Sequence, residues 1–125
     1  MDFRYKLVKP QVIRPIIPVL LFSANGKYFG YEALIDSGAD FNIFPSDIGI
    51  ALGLEVKKGE PNDFVGVTGD KSKGYVHIVE LGIGPDRFKA PVVFSEGIAT
   101  DGYGILGQLG FFSQFTVKFM YQSAE

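Results

Sequence analysis

Short runs rich in Val, Ile, Phe and Tyr recur along this chain between clusters of Gly, Pro, Asn and Asp, and helical periodicity is scarce, so the pattern predicts a mostly β fold. Phe3 to Val8 alternates as an edge or terminal strand. Ile16 to Phe22 predicts another strand, and Pro15 and Pro18, which lack amide donors, confine its first part to an edge or a strand start. Ala24-Asn25-Gly26-Lys27 turns the chain, because Asn-Gly accepts the positive φ values of a hairpin turn, and Tyr28 to Ile35 is the returning strand. Phe41 to Phe44 is a short apolar run. Strand-like runs follow at Asp63 to Val67, Lys73 to Leu81 and Arg87 to Phe94, and Phe115 to Tyr121 alternates as a final strand.

Two stretches depart from this period. Pro45 to Leu54 predicts a short helix, with Pro45 near its first turn and Gly53 near its end. Ile48, Ala51 and Leu52 would share its covering face, and Gly49 is a poor helix residue. Gln108 to Gln114 predicts a second short helix, with Phe111 and Phe115 four apart in the core. There is no internal repeat, low-complexity tract or linker, and 125 residues predict a single domain, 1–125.

Composition then removes whole classes of chemistry. The chain has no Cys and one His, which excludes thiolate catalysis and a disulfide framework and argues against a Cys/His zinc site. A Ser-His-Asp hydrolase would have to use His77, but no Gly-x-Ser-x-Gly elbow is present and His77 lies in an alternating run, where it faces solvent or an interface. The 12 Lys and Arg are scattered among 14 Asp and Glu, so nucleic acid is not an expected partner. The charged start Met1-Asp2-Phe3-Arg4 and the short, Pro-containing stretch from Ile16 to Phe22 predict neither a secretory signal nor a membrane span. A soluble cytoplasmic protein is expected.

The chemically suggestive segment is Asp36-Ser37-Gly38-Ala39, delivered by the apolar strand end Ala33-Leu34-Ile35 and followed by Asp40. A carboxyl group at the end of a hydrophobic strand is costly to bury unless it is hydrogen-bonded or shares its charge. The small residues after it let backbone amides and a hydroxyl crowd around it. The same three residues are also an ordinary turn signal. The polar tip Thr68-Gly69-Asp70-Lys71-Ser72, with Gly66 and Gly69 as pivots, joins two strand-like runs, the makeup of a hairpin that can close over a substrate or of a plain exposed one.

Taken in order, Ala33-Leu34-Ile35-Asp36-Ser37-Gly38-Ala39-Asp40-Phe41-Asn42-Ile43-Phe44 and, much later, Tyr103-Gly104-Ile105-Leu106-Gly107 resemble the single-domain aspartic peptidases of the retroviral type, the retropepsins. The resemblance implies a small closed β barrel with one or two short helices. It implies that Asp36 is the catalytic carboxylate, that Ser37, Gly38 and Ala39 support the active-site loop, that Gly66, Val67, Thr68 and Gly69 form a flap over the substrate, and that Ile105, Leu106 and Gly107 support the loop from beneath. Gln108 stands where many relatives place Arg, and Ser37 where retroviral enzymes usually have Thr.

The aspartic mechanism needs two carboxylates, whereas this chain carries one Asp-Ser-Gly. The other candidate, Asp101-Gly102-Tyr103-Gly104, lacks both the hydroxyl residue and the preceding strand. A homodimer whose twofold axis passes beside Asp36 would supply the second group. The implied activity is peptide hydrolysis on a peptide or protein substrate, with no metal or organic cofactor. Asp40 would anchor either a substrate amide or a neighbouring Arg. Two other readings are open from the residues: a dimer of the same fold that binds peptides without cutting them, for which the Gln at 108 and the modest polar flap speak, and an unrelated barrel whose Asp-Ser-Gly is a turn.

Overall fold

The computed structural model describes residues 1–65, 69, 71–98 and 102–125. Its strands are β1 (Lys6–Lys9), β2 (Val12–Arg14), β3 (Ile16–Phe22), β4 (Tyr28–Ile35), β5 (Asn42–Pro45), β6 (Glu60–Val65), β7 (Lys71–Ile83), β8 (Asp86–Ser95) and β9 (Gly104–Leu106). One short helix, α1 (Ser46–Ala51), follows β5, with 3₁₀ turns at Val56–Lys58 and Tyr121–Ser123.

The expected β3–β4 hairpin forms in full register from Ile16↔Leu34 to Phe22↔Tyr28. Its turn is closed by the Ser23 N–H on the Lys27 carbonyl, with Gly26 at φ +87°. On the other edge β3 meets β7 only over Leu20–Phe22, so Pro18 sits where no second ladder asks for its missing N–H. That short pairing is also what closes the sheet. The order β3-β4-β9-β5-β8-β7 returns to β3, and β6 adds outside β7.

Inside the barrel lie Ile17, Val19 and Leu21 of β3, Phe44 of β5, Val79 and Leu81 of β7, Val92 and Phe94 of β8, and Leu106 of β9. Phe44, Phe94, Leu21, Leu81 and Leu106 have no accessible surface. β8 is buried continuously from Val92 to Ser95 because it carries β5 on one side and β7 on the other. This is a mostly β architecture built on one sheet that returns to its first strand.

Four expectations need correction. The N-terminal segment is a hairpin, not one strand over Phe3 to Val8; it reverses at Pro10-Gln11, where Gln11 takes φ +66°. Gln108 to Gln114 is a chain of turns and not a helix, because Gly110 at φ +101° breaks the spiral and its N–H goes to the Ser113 hydroxyl. Phe115 to Tyr121 pairs with no strand of the described chain; Phe115 instead packs against Phe88 and Phe111. On α1, Ile48 and Leu52 face the core as expected but Ala51 is exposed. The contact is made by Gly49, where a Cβ would come within 2.8 Å of Val56 and 3.0 Å of the Phe94 ring.

His77 is on a strand, as expected, and is half-buried there. Its Nε2 lies 2.9 Å from the Val56 carbonyl and its ring meets Phe94 edge-on, tying β7 to the 3₁₀ turn. Among the described residues no helix is long and apolar enough to cross a membrane.

Candidate active site

β9 lies between two strands that are close in sequence. It runs parallel to β4, with Ala33↔Gly104, Leu34↔Ile105 and Ile35↔Leu106, and antiparallel to β5 at Ile43↔Ile105. The loop from Asp36 to Phe41, which joins β4 to β5, must therefore pass over the end of β9, and the chain just after β9 packs beneath it. Asp36, Ser37 and Gly38 meet Ile105, Leu106 and Gly107 here because of this topology, although about seventy residues separate them in sequence.

Backbone hydrogen bonds hold that crossing. The Asp36 N–H donates to the Leu106 carbonyl (2.9 Å), Gln108 N–H to Ala39 (2.8 Å) and Leu109 N–H to Asp40 (2.8 Å). The loop closes on itself through the Ala39 N–H on the Asp36 carbonyl at 3.1 Å. Gly107 is buried against the loop backbone, and a Cβ there would lie 2.4 Å from the Phe41 carbonyl oxygen and 2.7 Å from that of Ala39. Only glycine lets the two chains approach this far.

At the head of the loop, the Gly38 N–H donates to Asp36 Oδ1 at 2.9 Å. A carboxylate that accepts a backbone N–H is held in orientation by it. A Cβ on Gly38 would lie 3.2 Å from the same oxygen, so glycine is what fits the approach. Asp36 is half-buried, Ser37 and Gly38 are exposed and Ala39 is half-buried. The carboxyl group thus sits at the surface on a rigid base rather than in a closed pocket. Among the described residues, cavities lie elsewhere: one under the terminal segments between Phe3, Phe111 and Phe115 and one beside α1 between Ile50, Leu54 and Tyr75.

Of the expected site residues, Asp36, Ser37, Gly38, Ala39, Ile105, Leu106 and Gly107 are brought together. Gly69 is exposed with φ +83°, whereas Gly66, Val67 and Thr68 lie outside the described residues. The flanking strands do form the expected hairpin, from Glu60↔Val76 to Val65↔Lys71. Asp40 is exposed and, among the described residues, makes no salt bridge.

Two supporting side chains were not singled out as site residues from the sequence. Asn42 has no accessible surface; its Oδ1 accepts the Gly107 N–H at 3.0 Å and its Nδ2 faces the Pro91 carbonyl at 3.4 Å. Gln108 donates its side-chain amide to the Ser37 carbonyl at 2.7 Å. A polar Asn opening the buried run Asn42-Ile43-Phe44 was the available signal for the first, since a polar side chain among strand-core residues is retained only when it is hydrogen-bonded.

Comparison with known proteins agrees with this geometry. Residues 21–109 match the family model described as aspartyl protease. Among solved structures, the chain is similar to EIAV protease in complex with the inhibitor HBY-793, with a TM-score of 0.59 and 20% identity over 82% of this chain and 88% of that one. No curated protein sequence matches significantly. The family match runs through both the Asp36 loop and the β9 segment that supports it, and on it the chain belongs to the aspartyl proteases, with a retropepsin-like fold.

Proposed function

We propose that residues 1–125 form one retropepsin-like domain that acts as a homodimeric aspartic endopeptidase, cutting peptide bonds through a water held between two Asp36 carboxyl groups, one from each protomer. The observation that carries this reading is the placement of Asp36: a surface-facing carboxyl on a loop fixed by β9, with the Gly38 N–H on one oxygen. A site that opens at the surface and holds one such carboxyl is half of a catalytic pair, and a twofold axis beside it completes the pair with an identical half.

Two carboxyl groups around one water cannot both ionise, so the pair holds a single proton over a wide pH range and titrates as a unit. The ionised member takes a proton from the water as its oxygen attacks the peptide carbonyl carbon, and the protonated member donates to the carbonyl oxygen. The tetrahedral diol then collapses: the carboxyl that gave up its proton takes one back from a diol hydroxyl as the C=O re-forms, the C–N bond breaks, and the proton gained by the first carboxyl passes to the departing amine, which restores the singly protonated pair. Gly38 keeps the carboxyl oriented, Ser37 presents its hydroxyl toward the partner loop, and Ala39 leaves room on the cleft floor. The β6–β7 hairpin would cover an extended peptide and pair with its main chain, with Gly66, Val67, Thr68 and Gly69 as the proposed flap residues.

The test is a purified wild-type and Asp36→Asn pair assayed on a mixed peptide pool from mildly acidic to neutral pH, with sedimentation run in parallel. The expected result is cleavage by the wild type, a loss of about 10²–10⁴-fold in the variant, and an unchanged dimer. Equal cleavage by both proteins would refute the role of Asp36, and a strict monomer that still cuts would refute the shared pair. A dimer that captures peptides without cutting them would instead be the peptide-binding module.

A further inference from the structure

We infer that Gln108 is a positioning residue for the Asp36 carboxylate, acting through the single peptide unit between Ser37 and Gly38. This deepens the peptidase reading and rests on Asp36 being its catalytic group. The two hydrogen bonds on that peptide unit are the reason. Gln108 Nε2 donates to the Ser37 carbonyl oxygen at 2.7 Å, and the N–H on the other side of the same planar unit, that of Gly38, donates to Asp36 Oδ1 at 2.9 Å. A trans peptide is rigid, and its C=O and N–H point in opposite directions, so fixing the carbonyl fixes the direction of the N–H. A donor on the carbonyl also draws charge through the amide and strengthens its N–H as a donor.

The rest of the loop leaves this job to Gln108. Ser37 and Gly38 are exposed, and the nearest main-chain clamps hold Asp36 from Leu106 and Ala39 from Gln108, on either side of the peptide unit but not on it. Among the described residues, Gln108 is the only side chain that donates to it. Gln108 is anchored independently, since its own N–H is held by the Ala39 carbonyl at 2.8 Å, so the side chain reaches from that fixed point back to the Ser37 carbonyl.

The experiment uses the full chain and compares Gln108→Met, which keeps length but cannot donate, with Gln108→Arg, which restores a donor. Both changes are at an exposed position, and the Gln108 main-chain bond survives in each. Two quantities are read: amide exchange at Gly38, and the kcat and KM of peptide cleavage. In Gln108→Met the Gly38 amide should exchange about tenfold faster, and kcat should fall about 3–10-fold with KM nearly unchanged. Gln108→Arg should recover the Gly38 protection. If Gly38 exchange and kcat are both the same in Gln108→Met as in the wild type, the inference is overturned. A wild type that cuts no peptide, but whose Gly38 protection still depends on Gln108, would sink the peptidase reading and leave this inference standing.

Discussion

Replacing Asn42 by Asp changes one NH₂ for an oxygen at a site with no accessible surface, and the structure dictates how the result should depend on pH. In the native protein Oδ1 accepts from the Gly107 N–H at 3.0 Å, and Nδ2 faces the Pro91 carbonyl at 3.4 Å. A protonated carboxyl reproduces both contacts, with its C=O toward Gly107 and its O–H toward Pro91. An ionised one keeps the first and sets a negative oxygen against the Pro91 carbonyl. Full burial can raise a carboxyl pKa by 3–5 units, and the Gly107 donor offsets part of that, so we take a net rise of about two units. Each unit corresponds to about 1.4 kcal/mol. The folded-state value then exceeds the unfolded one of about 3.9, so the folded state binds more protons between the two. Stability relative to wild type should be nearly unchanged below about pH 4, fall between about pH 4 and 6, and reach a plateau loss of about 2.7 kcal/mol above that. The assay is urea unfolding of both proteins at fixed protein concentration across this range, fixed because association contributes to apparent stability. Asn42→Leu is the control: it leaves the buried Gly107 N–H without a partner at every pH and should cost about 1–3 kcal/mol with no pH dependence. A pH-independent loss in Asn42→Asp, or one that shrinks as pH rises, would refute the reasoning.

The other predictions test close packing around the site and the barrel. Gly107→Ala would drive a Cβ into the Phe41 and Ala39 carbonyl oxygens; backbone cannot rotate away, so unfolding experiments should show a loss of about 2–3 kcal/mol and peptidase assays a loss of activity at temperatures where the variant is still folded. Gly49→Ala gains about 1 kcal/mol of helix propensity but overpacks Val56 and Phe94 at a cost of about 1–3 kcal/mol; a net decrease in thermal midpoint is expected, and an increase would show that α1 can shift outward. Asp36→Asn should lose cleavage without a change in oligomeric state, and Gln108→Met should speed Gly38 amide exchange and lower kcat, as read by the assays described for each.

The chain showed its architecture wherever a local rule and the tertiary structure agree. β3, the Asn25-Gly26 turn and β4 have the predicted bounds because a period-two pattern and a turn dipeptide each specify the same register. The failures share one cause. Phe115 to Tyr121 alternates like a strand, yet alternation states only which side chains share a face; a strand also needs an edge to pair with, and within this chain that segment finds aromatic packing against Phe111 and Phe88 instead. Gln108 to Gln114 has apolar spacing suited to a helix, but Gly110 turns there to let Asn42 pass, its missing Cβ lying 2.5 Å from Asn42 Nδ2. Asn42 itself could be read as polar in an apolar run, but its partners, Gly107 and Pro91, are 65 and 49 residues away, and no local pattern names them.

The same geometry explains why Asp36, Gly107 and Gln108 work as one unit while lying at opposite ends of the chain. β9 is three residues long and pairs on both sides, with β4 and with β5, so it cannot slide without breaking both ladders. Whatever follows β9 directly is therefore held as firmly as the barrel itself. The residues that follow are Gly107, which lets the Asp36 loop come close, and Gln108, whose amide reaches the Ser37 carbonyl. A site needs its reactive group held within about half an ångström, and an exposed loop cannot do this on its own. Here the rigidity comes from the doubly paired strand beneath, and it reaches the carboxylate through one hydrogen-bonded peptide.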